Sequence, residues 1–405
     1  MSYSDVIIVG GGISGLSAAW HAAKDGRTVL VLEQGSVVGG CLSSHRDGSG
    51  FWFEMGAHTT YNSYGGFIEL IRGAELMGAL VQRGPARIHF GLLRNGHYTW
   101  LTPYKVLLQL NWLEASWRFP IQVWRSKDGQ TVESYYSRLI GPKNFQRVLA
   151  PFFAAVPSQR ADAFPVAGPG SLFKKRLRDE TVPRSFGLEG GLQRLCDALA
   201  EVPGIETRVG ATVSRIVKDS AGVGVELASG ERLDAARVVA ATPLSVTRSL
   251  LEASFPDVSS ALAPVETVAI ESIGAKLKKE QCWLPECAFV VPVDDIFYSM
   301  VTRDPFPDPR HRGFAFHFQD GISKTDALAR MSEILKVPVD ELEDTVVRRT
   351  TLPSPRLGHD RVIRDVDTAL SGEPIGVTGN FFGGLAIEDC ISRSVSEWRR
   401  LSQSS

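Results

Sequence analysis

Asp5-Val6-Ile7-Ile8-Val9-Gly10-Gly11-Gly12-Ile13-Ser14-Gly15-Leu16-Ser17-Ala18-Ala19, followed by Val29-Leu30-Val31-Leu32-Glu33, is the stretch that decides the fold. A β-branched apolar run enters a glycine turn, the turn enters a helical run, and a second apolar run ends on an acid. A G-x-G-x-x-G by itself says little, but here the whole strand–turn–helix–strand–acid unit is present. Gly10 permits a tight turn and Gly12 a close approach of backbone to a pyrophosphate. Gly15 lets the helix lie near the sheet. The helix N-terminus at Ile13 and Ser14 offers free N–H groups and a positive dipole end to phosphates. Glu33 stands where a carboxylate accepts hydrogen bonds from ribose hydroxyls. The residues predict a bound dinucleotide.

Bulk properties bound the remainder. At 405 residues the chain is too long for a single compact core, which predicts two domains. A formal net charge of −1 gives no basic footprint, so no nucleic-acid partner is expected. No apolar run is long enough to span a bilayer. Met1-Ser2-Tyr3-Ser4-Asp5 shows no basic segment of a secretory leader. Five scattered cysteines read as reduced thiols in a cytoplasmic protein. Cys282 and Cys287 lack the spacing and partners of a metal site, so no metal is expected.

Beyond Glu33 and Gln34 the loop carries Gly39-Gly40-Cys41, then Gly56-Ala57-His58. Gly40 again allows backbone to approach a ligand. With the opening unit, this arrangement resembles the flavin amine oxidase superfamily, which holds monoamine and polyamine oxidases, carotenoid desaturases and protoporphyrinogen oxidases. The resemblance implies FAD, held without a covalent bond, and a Rossmann-type α/β domain of the glutathione-reductase kind interleaved with an α+β substrate domain. It places Glu33 and Gln34 at the ribose, Gly40 and Cys41 at the pyrophosphate, and Gly56, Ala57 and His58 near the isoalloxazine. Many members carry an arginine where this chain has Cys41. Val213 matches the residue whose backbone lines the adenine pocket, and Ala241-Thr242-Pro243 the loop beneath the cofactor.

A second strong feature is Ile375-Gly376-Val377-Thr378-Gly379-Asn380-Phe381-Phe382-Gly383-Gly384-Leu385-Ala386-Ile387-Glu388-Asp389-Cys390-Ile391. A short apolar run enters a glycine turn and then a helix, whose N-terminus could face the flavin N1–C2=O edge and stabilise negative charge there. Here the resemblance narrows. Gly379-Asn380, Gly384 and Asp389-Cys390-Ile391 are similar to the closing motif of protoporphyrinogen oxidases, and Leu352-Pro353 with Gly358-His359 and Gly190-Gly191-Leu192 resemble further segments of that family. The implied contacts are Gly379, Asn380, Leu385, Ala386 and Ile387.

The expected organisation is an FAD domain from residues 1–85, 185–245 and 346–405, with a substrate domain from 86–184 and 246–345. In the latter, Trp100, Trp112, Trp117 and Trp124 cluster with Tyr98, Tyr104 and Phe119. Residues 105–114 read as a core-facing helix. The rival readings are a wall of an apolar cavity or a surface that dips into a membrane interface. His317 alternates with Phe314, Phe316 and Phe318 on a strand and reads as a structural histidine.

The resemblance implies hydride transfer from a substrate C–H to flavin N5, with oxygen or another direct acceptor taking the electrons. The substrate is a small molecule, apolar or tetrapyrrole-like, and Arg87, Arg94, Lys174 and Arg176 are at hand for anionic substituents. No catalytic residue stands out. An amine oxidase or desaturase is the alternative; Lys276 and Phe381-Phe382 fit an amine oxidase's lysine and aromatic pair poorly in position. Rab GDP-dissociation inhibitors share the fold as binding proteins, but the intact glycine set with Glu33 argues for a bound cofactor.

Overall fold

The computed structural model describes residues 4–220 and 222–403; the leader reading at Met1–Tyr3 lies outside them. The opening unit folds as read: β1 (Ser4–Val9), α1 (Ile13–Lys24) and β2 (Val29–Leu32). Val6 to Val9 and Val29 to Leu32 are buried throughout, as expected of parallel strands covered on both faces. β1 pairs in parallel with β2 on one side and with the end of a long strand, Arg232–Ala240, on the other. Ile205–Arg208 adds to the β2 edge, Ile375–Val377 joins Arg232–Ala240, and the meander Val213–Asp219 and Gly222–Leu227 completes seven strands.

The second sheet also has seven strands. Numbered onward along the chain, those used below are β3 (Phe90–Arg94), β4 (Thr267–Lys278), β5 (Phe297–Thr302), β6 (His311–Gln319) and β7 (Glu343–Pro353). β4 lies between β6 and β7, antiparallel to both. A domain boundary at residue 346 would run through β7. The alternation within β4 and β6 sorts the faces. Ile273, Ala275, Leu277, Phe314, Phe316 and Phe318 pack on one side with Met331, Ile334 and Leu335 of the helix Lys324–Leu335. Gly274, Gly313 and Ala315 face Phe51, Phe53 and Met55 on the other. His317 therefore looks across to the FAD-side loops.

The core-facing helix expected at 105–114 does not form. Pro103–Gln109 is a 3-10 turn without a buried residue, Leu110 is extended, and Asn111 caps a short new helix, Trp112–Ala115, by accepting from Leu113 N at 3.0 Å. Leu108, Leu113 and Trp124 are 71%, 88% and 89% exposed. Downstream, Val132–Ile140 is helical and ends at Gly141-Pro142, where Gly141 has a positive φ of 98°.

Candidate active site

The glycine turn is built by exclusion. At Gly10, with φ of +108°, a Cβ would lie 2.7 Å from Ala241 O, and at Gly15 it would lie 2.0 Å from Gly10 O. Ala241 N donates to Val9 O at 2.8 Å, which seats the Ala241 loop directly beneath the turn. Gly12 is different, because a Cβ there would meet the backbone of Gly39 and Gly40, no nearer than 3.5 Å. Gly12 and Gly39 form an isolated bridge, and Gly39 N donates to Gly11 O at 2.9 Å. Two glycine turns thus lie backbone against backbone. Gly12 caps α1 without any side-chain bond, so the first-turn N–H groups of Ile13 and Ser14 have no side-chain partner. An uncapped helix start inside a cradle without side chains fits a pyrophosphate.

Glu33 is held by two backbone donors, Gly11 N to Oε2 and Gly35 N to Oε1, both at 2.8 Å. Gln34 beside it is exposed. Ala211 N donates to Glu33 O at 2.9 Å, bringing the start of the Val213 strand to the same end. The expected ribose and adenine residues are therefore neighbours.

At the other end, Ala57 N donates to Cys41 O at 3.0 Å, and a Cβ on Gly56 would lie 2.2 Å from that oxygen. Gly40-Cys41 and Gly56-Ala57-His58 run side by side. A guanidinium does reach this loop: Arg348, on β7, donates from Nη2 to Gly40 O. No local motif signals it.

The carboxy-terminal motif leads into the helix Ile387–Gln403, which packs along α1. Ser394 Oγ donates to Ser14 O at 2.8 Å, and Trp398 Nε1 to Asp25 Oδ2 at 2.7 Å. The two helices thus run in the same sense, with their N-termini toward one end. Asp389 is ion-paired at 2.9 Å with both Lys174 and Arg176. Glu388 accepts from Gly66 N and Phe67 N, capping another helix. Asn380, Leu385 and Ala386 are half-buried beside this turn. Cys390 is buried, and burial pushes its thiol up to about 12, which suits a packed side chain rather than a covalent flavin link.

Of the four cations considered for substrate, none is idle. Lys174 and Arg176 hold Asp389, Arg94 donates to Arg147 O, and Arg87 donates to Arg83 O and Gly84 O. Lys276 is buried among Asp47 at 2.8 Å and Asp344 at 2.7 Å. Phe381 and Phe382 are both buried in the first sheet's core.

The structure also assembles a chain of polar groups that spacing does not reveal. His58 Nε2 and His317 Nε2 are 2.8 Å apart, and His317 Nδ1 is 2.7 Å from Ser272 Oγ. His317 is only 3% exposed. Burial lowers its pKa to about 4 and that of His58 well below the ordinary value, the latter helped by His317 and Arg83. Both rings are neutral at pH 7. One Nε2 must then donate to the other, so the two tautomers are correlated.

The comparison with known proteins accords with this geometry. The family described as flavin containing amine oxidoreductase matches residues 13–312. The chain belongs to that family. It is a flavin oxidoreductase whose cofactor is FAD. A flavin-dependent L-tryptophan oxidase of Lentzea aerocolonigenes is 27% identical over 289 residues, 61% of this chain and 60% of that protein. A 15-cis-phytoene desaturase of Synechococcus elongatus is 30% identical over 94 residues, covering 23% of this chain and 20% of the desaturase. The chain therefore matches less than two thirds of these curated relatives' length. A crystal structure from Exiguobacterium sp. 255-15, assigned as a protoporphyrinogen oxidase, superposes with a TM-score of 0.79 at 20% identity, covering 100% of both chains. At that identity the likeness is one of fold.

Proposed function

We propose that this family member is an oxidase of the porphyrinogen type, taking hydride from a C–H of a mostly apolar substrate, with oxygen as final acceptor. The observation that carries the reading is the fate of the amine-oxidase features. Lys276 is neutralised by Asp47 and Asp344, and the Phe381–Phe382 pair is core, so neither is placed to handle an amine. The closing motif from Gly379 to Ile391 supports the narrower choice, since it is the segment most similar to protoporphyrinogen oxidases.

FAD, when bound, supplies the hydride acceptor. The chain supplies position and charge. The turn at Gly10–Gly15 and the Gly39–Gly40 loop would hold the pyrophosphate, and Glu33 the ribose. The start of the helix Ile387–Gln403 would face the reactive ring and stabilise charge there. Each oxidation removes a hydride and a proton from substrate, and oxygen takes the two electrons and two protons to give peroxide. His58, held neutral by burial and backed by His317 and Ser272, is suited to orient substrate by hydrogen bonding rather than to hold the proton.

Access comes from the apolar surface at 103–124. Tyr104, Leu107, Leu108, Trp112, Leu113 and Trp124 are exposed there, and Lys105, Arg118, Arg125 and Lys127 accompany them. The cluster beneath, with Phe145, Phe153 and Phe164, has Leu385 of the flavin turn against it. We read this face as a peripheral contact with an anionic bilayer, from which an apolar substrate would enter. Among the described residues no helix is long and apolar enough to cross a membrane. A carotenoid-type desaturase is the second reading, favoured by the same apolar face.

The test is anaerobic mixing of the holoprotein with protoporphyrinogen, coproporphyrinogen, L-tryptophan, phytoene and simple amines. Bleaching of the flavin band by a porphyrinogen alone supports the proposal; bleaching by amines with no response to either porphyrinogen would overturn it.

A further inference from the structure

A row of polar side chains crosses the second sheet on the face turned toward the FAD-side loops. Arg348 on β7 stands opposite Ser272 on β4, Ser272 opposite His317 on β6, and His317 opposite Ser299 on β5. Directly opposed residues of antiparallel strands share a face. This face also carries Gly274 and Ala315, packed against Phe53 and Met55. Arg348 and His317 each reach across to the loops, one to Gly40 O and the other to His58 Nε2. With both rings of the histidine pair neutral, each carries its proton on one nitrogen. Which nitrogen it is decides what His58 can bind.

The buried hydroxyl of Ser272 fixes the choice. Among the described residues its Oγ has a single hydrogen-bond partner, His317 Nδ1 at 2.7 Å. Arg348, its neighbour on the other strand, carries donors only and is turned to Gly40. Ser299 Oγ is buried without a hydrogen-bond partner, so it gives His317 neither donor nor acceptor. If His317 Nδ1 held the proton, the Ser272 hydroxyl hydrogen would be buried without an acceptor. An unused oxygen lone pair costs less. Ser272 therefore donates to Nδ1, and the His317 proton sits on Nε2. That proton points at His58 Nε2, 2.8 Å away, which must accept it. His58 is left with its proton on Nδ1. This atom has no partner among the described residues, and His58 is only half-buried.

We propose that His317, set by Ser272, is a positioning residue that locks His58 as an Nδ1–H donor. The site then takes an acceptor oxygen or nitrogen at that point and disfavours an ammonium, which has only donors to offer. Two sources hold such an acceptor: the flavin ring, or an oxygen of the substrate such as a carboxylate. The substrate source rests on the oxidase reading above; the direction of the hydrogen-bond chain does not.

Two-bond proton–nitrogen NMR of the FAD-loaded protein, carrying isotope-labelled histidine, tests that direction. The His58 signals are identified by their loss in His58→Gln. In wild type, His58 should be protonated on Nδ1 and bare on Nε2, and His317 the reverse. The ratio of Nδ1–H to Nε2–H forms at His58 should fall at least about tenfold in His317→Phe, which offers no donor. It should stay near the wild-type value in His317→Gln, whose amide can still donate to His58. A packing role alone would not separate these two variants. His58 protonated on Nε2 in wild type, or an unchanged ratio in folded His317→Phe, would overturn the lock. His317→Met serves in its place if His317→Phe does not fold.

A second arm identifies the acceptor. A shift of the His58 Nδ1–H signal when dithionite reduces the flavin, with a lower flavin potential in His317→Phe, assigns it to the flavin ring. A signal indifferent to reduction but moved by coproporphyrin or indole-3-acetate assigns it to a substrate oxygen. A signal that answers to none of these would overturn the role in recognition. If no porphyrinogen bleaches the flavin, only the oxidase reading fails, since the NMR measurements do not depend on turnover.

Discussion

His317 shows how a residue's role is settled by what faces it. Its ring bridges Ser272 and His58, and its charged form would be buried without an acid partner. Its pKa is lowered in the fold to about 4, so between about pH 6.5 and 4 the unfolded chain binds more protons than the native one. Stability should be fullest above that window and decline as pH falls through it. His317→Gln is expected to flatten the decline, read as Tm against pH; an unchanged slope would mean that the ring is not buried as a neutral group. Arg348 is the other residue of this kind. Its bond to Gly40 O sets a guanidinium on the loop where Cys41 offers no charge. Arg348→Met should weaken FAD binding by about tenfold, the loss of one charge-assisted contact, with an unchanged circular dichroism spectrum. Equal FAD affinity in fluorescence titration would remove Arg348 from the cofactor site.

At the scale of elements, the β1–α1–β2 unit is held by Glu33 as much as by its glycines. The carboxylate takes N–H groups from both Gly11 and Gly35, bridging the phosphate turn and the loop after β2. Glu33→Ala should therefore do two things. It should reduce FAD retention, seen as a lower flavin-to-protein absorbance ratio. It should also lower the stability of the apoprotein by about 1–3 kcal/mol in urea, since it leaves two part-buried donors unpaired. Undiminished FAD occupancy would show that the carboxylate serves the loops alone. The region from 103 to 124 shows the reverse case. Its apolar residues are spaced as for a helix, yet Leu110 is extended and Asn111 restarts the turn, so the side chains splay outward. Periodicity alone does not report which side the core is on.

Across the whole molecule, that outward apolar face marks one surface as different from the rest. Leu108→Glu with Leu113→Glu should abolish sedimentation with vesicles containing phosphatidylglycerol while sparing flavin content; wild-type protein that stays in the supernatant would dismiss the membrane contact. The parts of the molecule readable in advance share one property: their partners are close in sequence, or repeat a pattern whose geometry is local. Gly10 to Glu33 shapes a dinucleotide cradle within some two dozen residues, because turn, helix start and strand end follow from φ, dipole and hydropathy. Gly379 to Ile387 delivers a second helix start by the same local rules. What only the tertiary structure decided are meetings across hundreds of residues. Arg348 reaches Gly40, His317 reaches His58, and Lys174 with Arg176 is spent on Asp389. A charged or titratable side chain carries no local mark of its eventual partner. Whether it is paired, buried or left waiting for a ligand depends on which sheet face and which loop the folded chain brings against it.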